Sequence, residues 1–231
     1  MKITTGKKIL FTIIAGLFLL PLNTYAQTSV LGGEVAFNAA LKSDYRFRGV
    51  SKSNNDVAVQ GGADWYGDNG LYAGAWASSV SDFRGSDIET NLFLGYSTEK
   101  NGLIYDFGAT AYIYPGGTNS TYVEAYGSVG VDLGLFTSSF GASYMPSQSN
   151  NGSQDNIYFY NNTRAEVPDT PFAVELHLGY EDGVFGNSKW DWKIGTSVAF
   201  DKFELGVAYV DTNVVGRRSD SGVVFSIGAY F

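Results

Sequence analysis

The chain has 231 residues, with 15 Lys and Arg against 23 Asp and Glu, one His, no Cys, 29 Gly, 16 Tyr and 16 Phe. That length accommodates one domain or at most two, the missing Cys excludes disulfides, thiolate metal centres and Cys nucleophiles, and a single His excludes multi-His metal sites. A net charge of −8 argues against a nucleic-acid partner, whose phosphates require clustered Lys and Arg, while few charges with many Gly and aromatics point to an all-β protein.

Residues 1–26 have the three parts of a secretory signal. Lys2, Lys7 and Lys8 form a positive start, Ile9–Leu20 is apolar, and Thr24-Tyr25-Ala26 offers small residues for cleavage. Twelve apolar residues at 1.5 Å each fall short of a hydrocarbon core of about 30 Å, so a cleaved leader is expected, not an anchor. The expected layout is a signal peptide over 1–26 and one domain over 27–231, which keeps 12 cationic residues against 23 acids.

Beyond Gly32 the chain breaks into runs with period-2 alternation, separated by turn-rich gaps. Twelve runs emerge: 33–47, 57–66, 71–80, 87–98, 103–114, 120–132, 135–145, 157–167, 172–181, 190–200, 203–211 and 220–231. In the last, Val223, Phe225, Ile227, Ala229 and Phe231 share one face. The gaps alternate between short turns, such as GDNG at 67–70 and EKNG at 99–102, and longer polar stretches at 48–56, 81–86, 115–119, 146–156, 182–189 and 212–219. An even strand number with turns at one end and loops at the other predicts a closed antiparallel transmembrane β-barrel of 12 strands, both chain ends on the short-turn side.

A lipocalin-type barrel also alternates, with its apolar face inward. Three features favour the inverted arrangement. Aromatics of the apolar face (Phe47, Trp65, Tyr96, Tyr105, Tyr180, Trp190, Phe200, Phe203, Phe231) collect near run ends, as interfacial girdles require. The opposite face carries Asn38, Asp106, Glu124, Arg164 and His177 at mid-run, which a packed core does not hold unpaired. The chain also ends on Tyr230-Phe231, similar to the assembly signal of outer-membrane proteins. The expected location is the outer membrane of a Gram-negative bacterium.

Ala40–Ser53 (ALKSDYRFRGVSKS), followed by Ala58–Trp65 and Gly70–Val80, resembles the opening of the TorF family of porins, also known by the Gcw_chp domain. Gly95-Tyr96, the Tyr112–Gly116 segment and Glu124-Ala125-Tyr126 extend the resemblance along the chain. It implies an outer-membrane β-barrel called a porin by analogy, and it supplies no catalytic residues.

With the apolar face outward, Lys42, Arg46, Arg48, Asp64, Glu89, Asp106, Glu124, Arg164, Glu175, His177 and Lys193 are expected to line the lumen. Arg46 and Arg48 facing Glu89 and Glu124 would set a transverse field across a constriction that filters polar solutes. The alternative is that these charges pair across the lumen and seal it. The function expected is passive diffusion of small polar solutes or ions through a narrow channel. A sealed barrel acting through its extracellular loops is the second reading. An enzyme is not expected, because no G-x-S-x-G elbow is present and His177 faces the lumen. No cofactor or metal is implied. Expected partners are outer-membrane lipid and lipopolysaccharide, small polar solutes and the outer-membrane assembly machinery, with no nucleic acid.

Overall fold

A computed structural model describes residues 31–231, so the expected leader lies outside the described residues. The first strand, β1 (Gly33–Lys42), is followed by two short ones, β2 (Arg46–Phe47) and β3 (Val50–Ser51). Eleven long strands complete the order: β4 (Ala58–Gly67), β5 (Leu71–Phe83), β6 (Ser86–Lys100), β7 (Leu103–Ile113), β8 (Thr121–Asp132), β9 (Phe136–Met145), β10 (Asn156–Glu166), β11 (Phe172–Gly183), β12 (Gly186–Phe200), β13 (Phe203–Thr212) and β14 (Gly222–Tyr230). The long strands pair antiparallel with their sequence neighbours and close as a twelve-stranded barrel through β14 and β1, while β2 and β3 pair only with each other.

Closure satisfies the backbone of every strand internally, the condition for crossing hydrocarbon. The seam runs from Asn38 opposite Tyr230 to Lys42 opposite Ser226. Below it Phe37 and Phe231 exchange backbone hydrogen bonds of 3.0 and 2.9 Å, so the last residue is part of the wall.

The barrel is inverted relative to a soluble protein. Leu94 is 65% exposed, Phe225 61% and Phe140 56%, all on the outer face, while Glu89 and Asp191 inside are 1% and 2% exposed. Some outward aromatics pair near strand ends, with Tyr180 against Trp190 at 4.9 Å and Phe200 against Phe203 at 5.7 Å, while Phe140 and Phe225 lie mid-strand. The largest buried cluster (Tyr45, Tyr72, Trp76, Phe93, Tyr112, Tyr114 and Tyr122 among its members) sits inside the barrel.

Three expectations need correction. The run expected over 33–47 ends as a wall strand at Lys42. Ser43 fastens the exit, its N–H donating to the Phe225 carbonyl and its Oγ accepting from the Phe225 N–H, and the chain then turns inward. Phe47 is therefore no girdle residue: its ring meets Tyr112 edge-on at 5.8 Å inside the barrel. The gaps expected at 81–86 and 182–189 are mostly strand. Register shifts between Ser79 and Phe83, and between Glu181 and Gly183, interrupt the alternation while the hairpins continue past them.

The inverted wall makes a direct prediction. Leu94→Arg puts a guanidinium on the outer face near mid-strand of β6. The expected loss is roughly 2–4 kcal/mol of folding stability in lipid bilayers, read as a shifted urea midpoint of the heat-modifiable folded band.

Candidate functional site

The segment after β1 folds back into the lumen as a hairpin whose every polar residue has a structural task. Asp44 is its organiser: its carboxylate accepts from Arg46 Nε, from Ser51 Oγ and from Ser53 Oγ (2.9 Å). Ser53 Oγ in turn accepts from the Tyr45 N–H at 2.9 Å. Pairing of Arg46 with Ser51 and of Phe47 with Val50 leaves Arg48-Gly49 as the two-residue turn. Both have positive φ, +48° and +82°, the combination of a type I′ turn. At Gly49 a Cβ would also meet Asp191 and Thr212 Cβ at 2.9 Å, so only glycine fits.

The tip carries Arg48 across the barrel. Its Nη2 donates to both Glu124 oxygens on β8, at 2.8 and 2.7 Å, and its Nη1 donates to Glu181 Oε1 on β11 at 2.7 Å. The guanidinium lies 4.1 Å from the Tyr158 ring centroid on β10 and 4.9 Å from Phe47. Asn156 and Lys189 complete the shell of Glu181. On the opposite side Tyr45 packs edge-on against Trp76 at 5.5 Å and donates to Glu89 Oε1 at 3.1 Å; Tyr114 donates to Glu89 Oε2 at 2.7 Å. Lys52 Nζ donates to Tyr114 Oη and lies 5.0–5.5 Å from the Phe47, Phe83 and Tyr114 rings. Burial lowers the pKa of this ammonium, and Glu89 pulls in the other direction. The β13–β14 loop clasps the hairpin from above through Ser51 N–H to Arg218 O (2.7 Å) and Arg46 Nη1 to Asp220 O (2.8 Å).

A polar chamber occupies the rest of the lumen. Arg164 bonds Glu166 and Glu175, both at 2.8 Å, and reaches Glu204 at 3.5 Å, while Lys193 bonds Glu175 at 3.0 Å. Lys42, at the end of β1, lies within electrostatic reach of Lys193, Glu175 and Glu204. His177 Nε2 faces Tyr158 Oη (2.8 Å) and Asp191 Oδ1 (3.0 Å), and Nδ1 faces Asn162 Oδ1 at 2.6 Å. On the β4–β8 side Asp64 accepts from Asn38 at 3.2 Å and Asp106 from Tyr72 at 2.9 Å. Tyr72 lies across Gly95, Tyr126 across Gly108 and Tyr160 across Gly141, where a Cβ would collide with each ring.

The residues singled out from sequence therefore fall into separate groups. Arg48 meets Glu124 directly, where facing walls with a field between them were expected. Arg46 turns back onto Asp44 and the β13–β14 loop and reaches neither Glu89 nor Glu124, because the hairpin turn at Arg48-Gly49 redirects it. Arg164, Glu175, Lys193 and Lys42 gather in one cluster, His177 lies across the strand pair from Lys193 and contacts Asp191, and Asp64 and Asp106 stand on the far wall. Sequence reasoning missed Glu181, Lys189 and Tyr158. Glu181 continues the phase of Glu175 and His177 two steps further along the same strand, past Gly179, a signal that was present.

A family model described as "Bacterial protein of unknown function (Gcw_chp)" matches residues 26–225. The chain belongs to the Gcw_chp family. No curated protein matches this Gcw_chp chain. Among solved structures it is similar to the NanC porin, at 11% identity over 85% of this chain and 98% of that one, TM-score 0.56. It is also similar to the KdgM porin, at 10% identity over 85% and 97%, TM-score 0.57. A third match is an outer-membrane channel from Pseudomonas putida F1, at 11% identity over 88% and 96%, TM-score 0.51. The fold of this Gcw_chp chain is accordingly that of outer-membrane porins.

Removing Arg48 tests what holds the hairpin. Arg48→Ala leaves Glu124 and Glu181 buried without their guanidinium, and the expected cost is about 3–5 kcal/mol, measured as the urea midpoint in detergent micelles. Arg48→Lys recovers part of the loss, since one ammonium cannot bridge two carboxylates as a planar fork does.

Proposed function

We propose that the protein is a narrow channel of the Gram-negative outer membrane, through which small polar solutes and ions diffuse passively, with the inward hairpin Asp44–Ser53 as its constriction. The observation that carries this reading is the division of the lumen. The hairpin crosses one level, pinned mainly by side chains, and the chamber beyond it is polar and reached by solvent, with the Lys193 and His177 side chains 19% and 18% exposed. A barrel serving only as a scaffold has no need of a hydrated polar chamber, whose groups cost desolvation wherever they are packed. The inverted wall, the outward aromatics and the likeness to porins support a site among outer-membrane lipid and lipopolysaccharide, reached through the outer-membrane assembly machinery.

The Arg48 ion pairs favour a second reading, in which the hairpin seals the lumen and the loops carry the function. Conductance of the refolded protein in a planar bilayer separates the two. Discrete steps from the wild type, enlarged when Asp44–Ser53 is replaced by a short Gly-Ser link, are the expected result. Silence from both proteins, each shown to be folded, would overturn the channel reading.

A further inference from the structure

Pairing of charges inside the barrel is incomplete. Arg48, Lys189, Arg164 and Lys193 each lie within ion-pair distance of a carboxylate. The converse fails at Glu89, whose two oxygens accept from Tyr45, Asn91 and Tyr114, and at two acids with fewer donors. Asp64 is bonded by the Asn38 amide and Asp106 by the Tyr72 hydroxyl, and among the described residues neither has a cationic side chain as a bonding partner. Both are only 4% exposed, and Asp106 Oδ2 has no hydrogen-bond partner at all. A desolvated carboxylate without a counter-charge is costly, and it is stabilised by taking up a cation or a proton.

The surroundings select between chemical classes. Tyr72 and Tyr126 are hydroxyl-bonded at 2.6 Å beside Asp106 and lie across the glycines of the neighbouring strands. Aromatic faces attract cations. No group of three metal-ligating side chains occurs among the described residues, so nothing there builds a closed metal cage. We infer that Asp64 and Asp106, with the rings of Tyr72 and Tyr126, form a cation-attracting wall that binds small monovalent or alkylammonium cations weakly and makes the lumen cation-selective. The inference rests on the channel reading for its physiological use, but the wall is a property of the side chains alone.

The test uses the whole refolded barrel in two measurements. In a bilayer under a KCl gradient, the wild type is expected to favour K⁺ over Cl⁻. Asp64→Asn/Asp106→Asn is expected to lower that permeability ratio about threefold or more, while Glu99→Gln, exposed at the end of β6, leaves it unchanged. A conducting double variant with an unaltered ratio overturns the inference and leaves the channel standing. If the folded wild type and the protein with Asp44–Ser53 replaced are both silent, the channel reading fails, and terbium(III) luminescence excited through tyrosine decides the wall by itself in detergent micelles. Loss of that emission in the double variant upholds the site, and emission equal to wild type overturns it.

Discussion

The guanidinium of Arg48 is the contact on which the interior depends. A barrel turned apolar-side out to lipid has an inward face that must be polar, and polar groups taken from water need partners. Arg48 supplies them across the gap, bonding Glu124 on β8 and Glu181 on β11 while lying over Tyr158 on β10. A hairpin of two-residue strands has little stability of its own. Here the ion pairs, the Asp44 bonds and the clasp from the β13–β14 loop hold it, and the lack of a side chain at Gly49 lets its tip approach Asp191 and Thr212.

This division of labour sets which parts can move. The wall is a continuous hydrogen-bonded ladder around twelve strands, so opening it costs many bonds at once. The hairpin is tied to that wall largely by side chains, with few backbone bonds such as Ser51 to Arg218 and Ser81 to Lys52. Regions with fewer such ties open at lower free energy than the scaffold. A hairpin held this way is soft relative to the barrel around it, and its hold is set by the carboxylates facing Arg48, not by the strand count.

How much of this was legible in the sequence follows from what alternation encodes. Period 2 reports which face a residue occupies, and the lipid-facing residues of β11 or β14 announce themselves because nothing interrupts them. The segment Asp44-Tyr45-Arg46-Phe47-Arg48 alternates just as well, so it passes for a continuation of β1. The break is carried by Arg48-Gly49, and Arg is not a residue that signals a type I′ turn as Asn or Asp does. Arg84-Gly85, with φ of +55° and +93°, conceals the β5–β6 turn in the same way, whereas Asn101-Gly102 is visible at once. Lys189, which pairs with Glu181 beside a register shift, was lost because the run over 190–200 begins one residue after it. The family resemblance rests in part on this same segment, Ala40–Ser53, without implying that it leaves the wall.

The wall and the lumen are therefore written in different residues. The outer face needs only to be apolar and the ladder needs only backbone, which is how this barrel can share the fold of the NanC and KdgM porins at 10–11% identity. Strand number fixes the diameter of the empty barrel. What remains after the hairpin fills part of it is bounded by individual side chains: Arg48 with its carboxylates at the hairpin tip, Arg164, Glu175 and Lys193 in one cluster, and Asp64 and Asp106 on the opposite wall. Likeness of the wall thus carries no information about the solute, because the residues that would choose it point the other way.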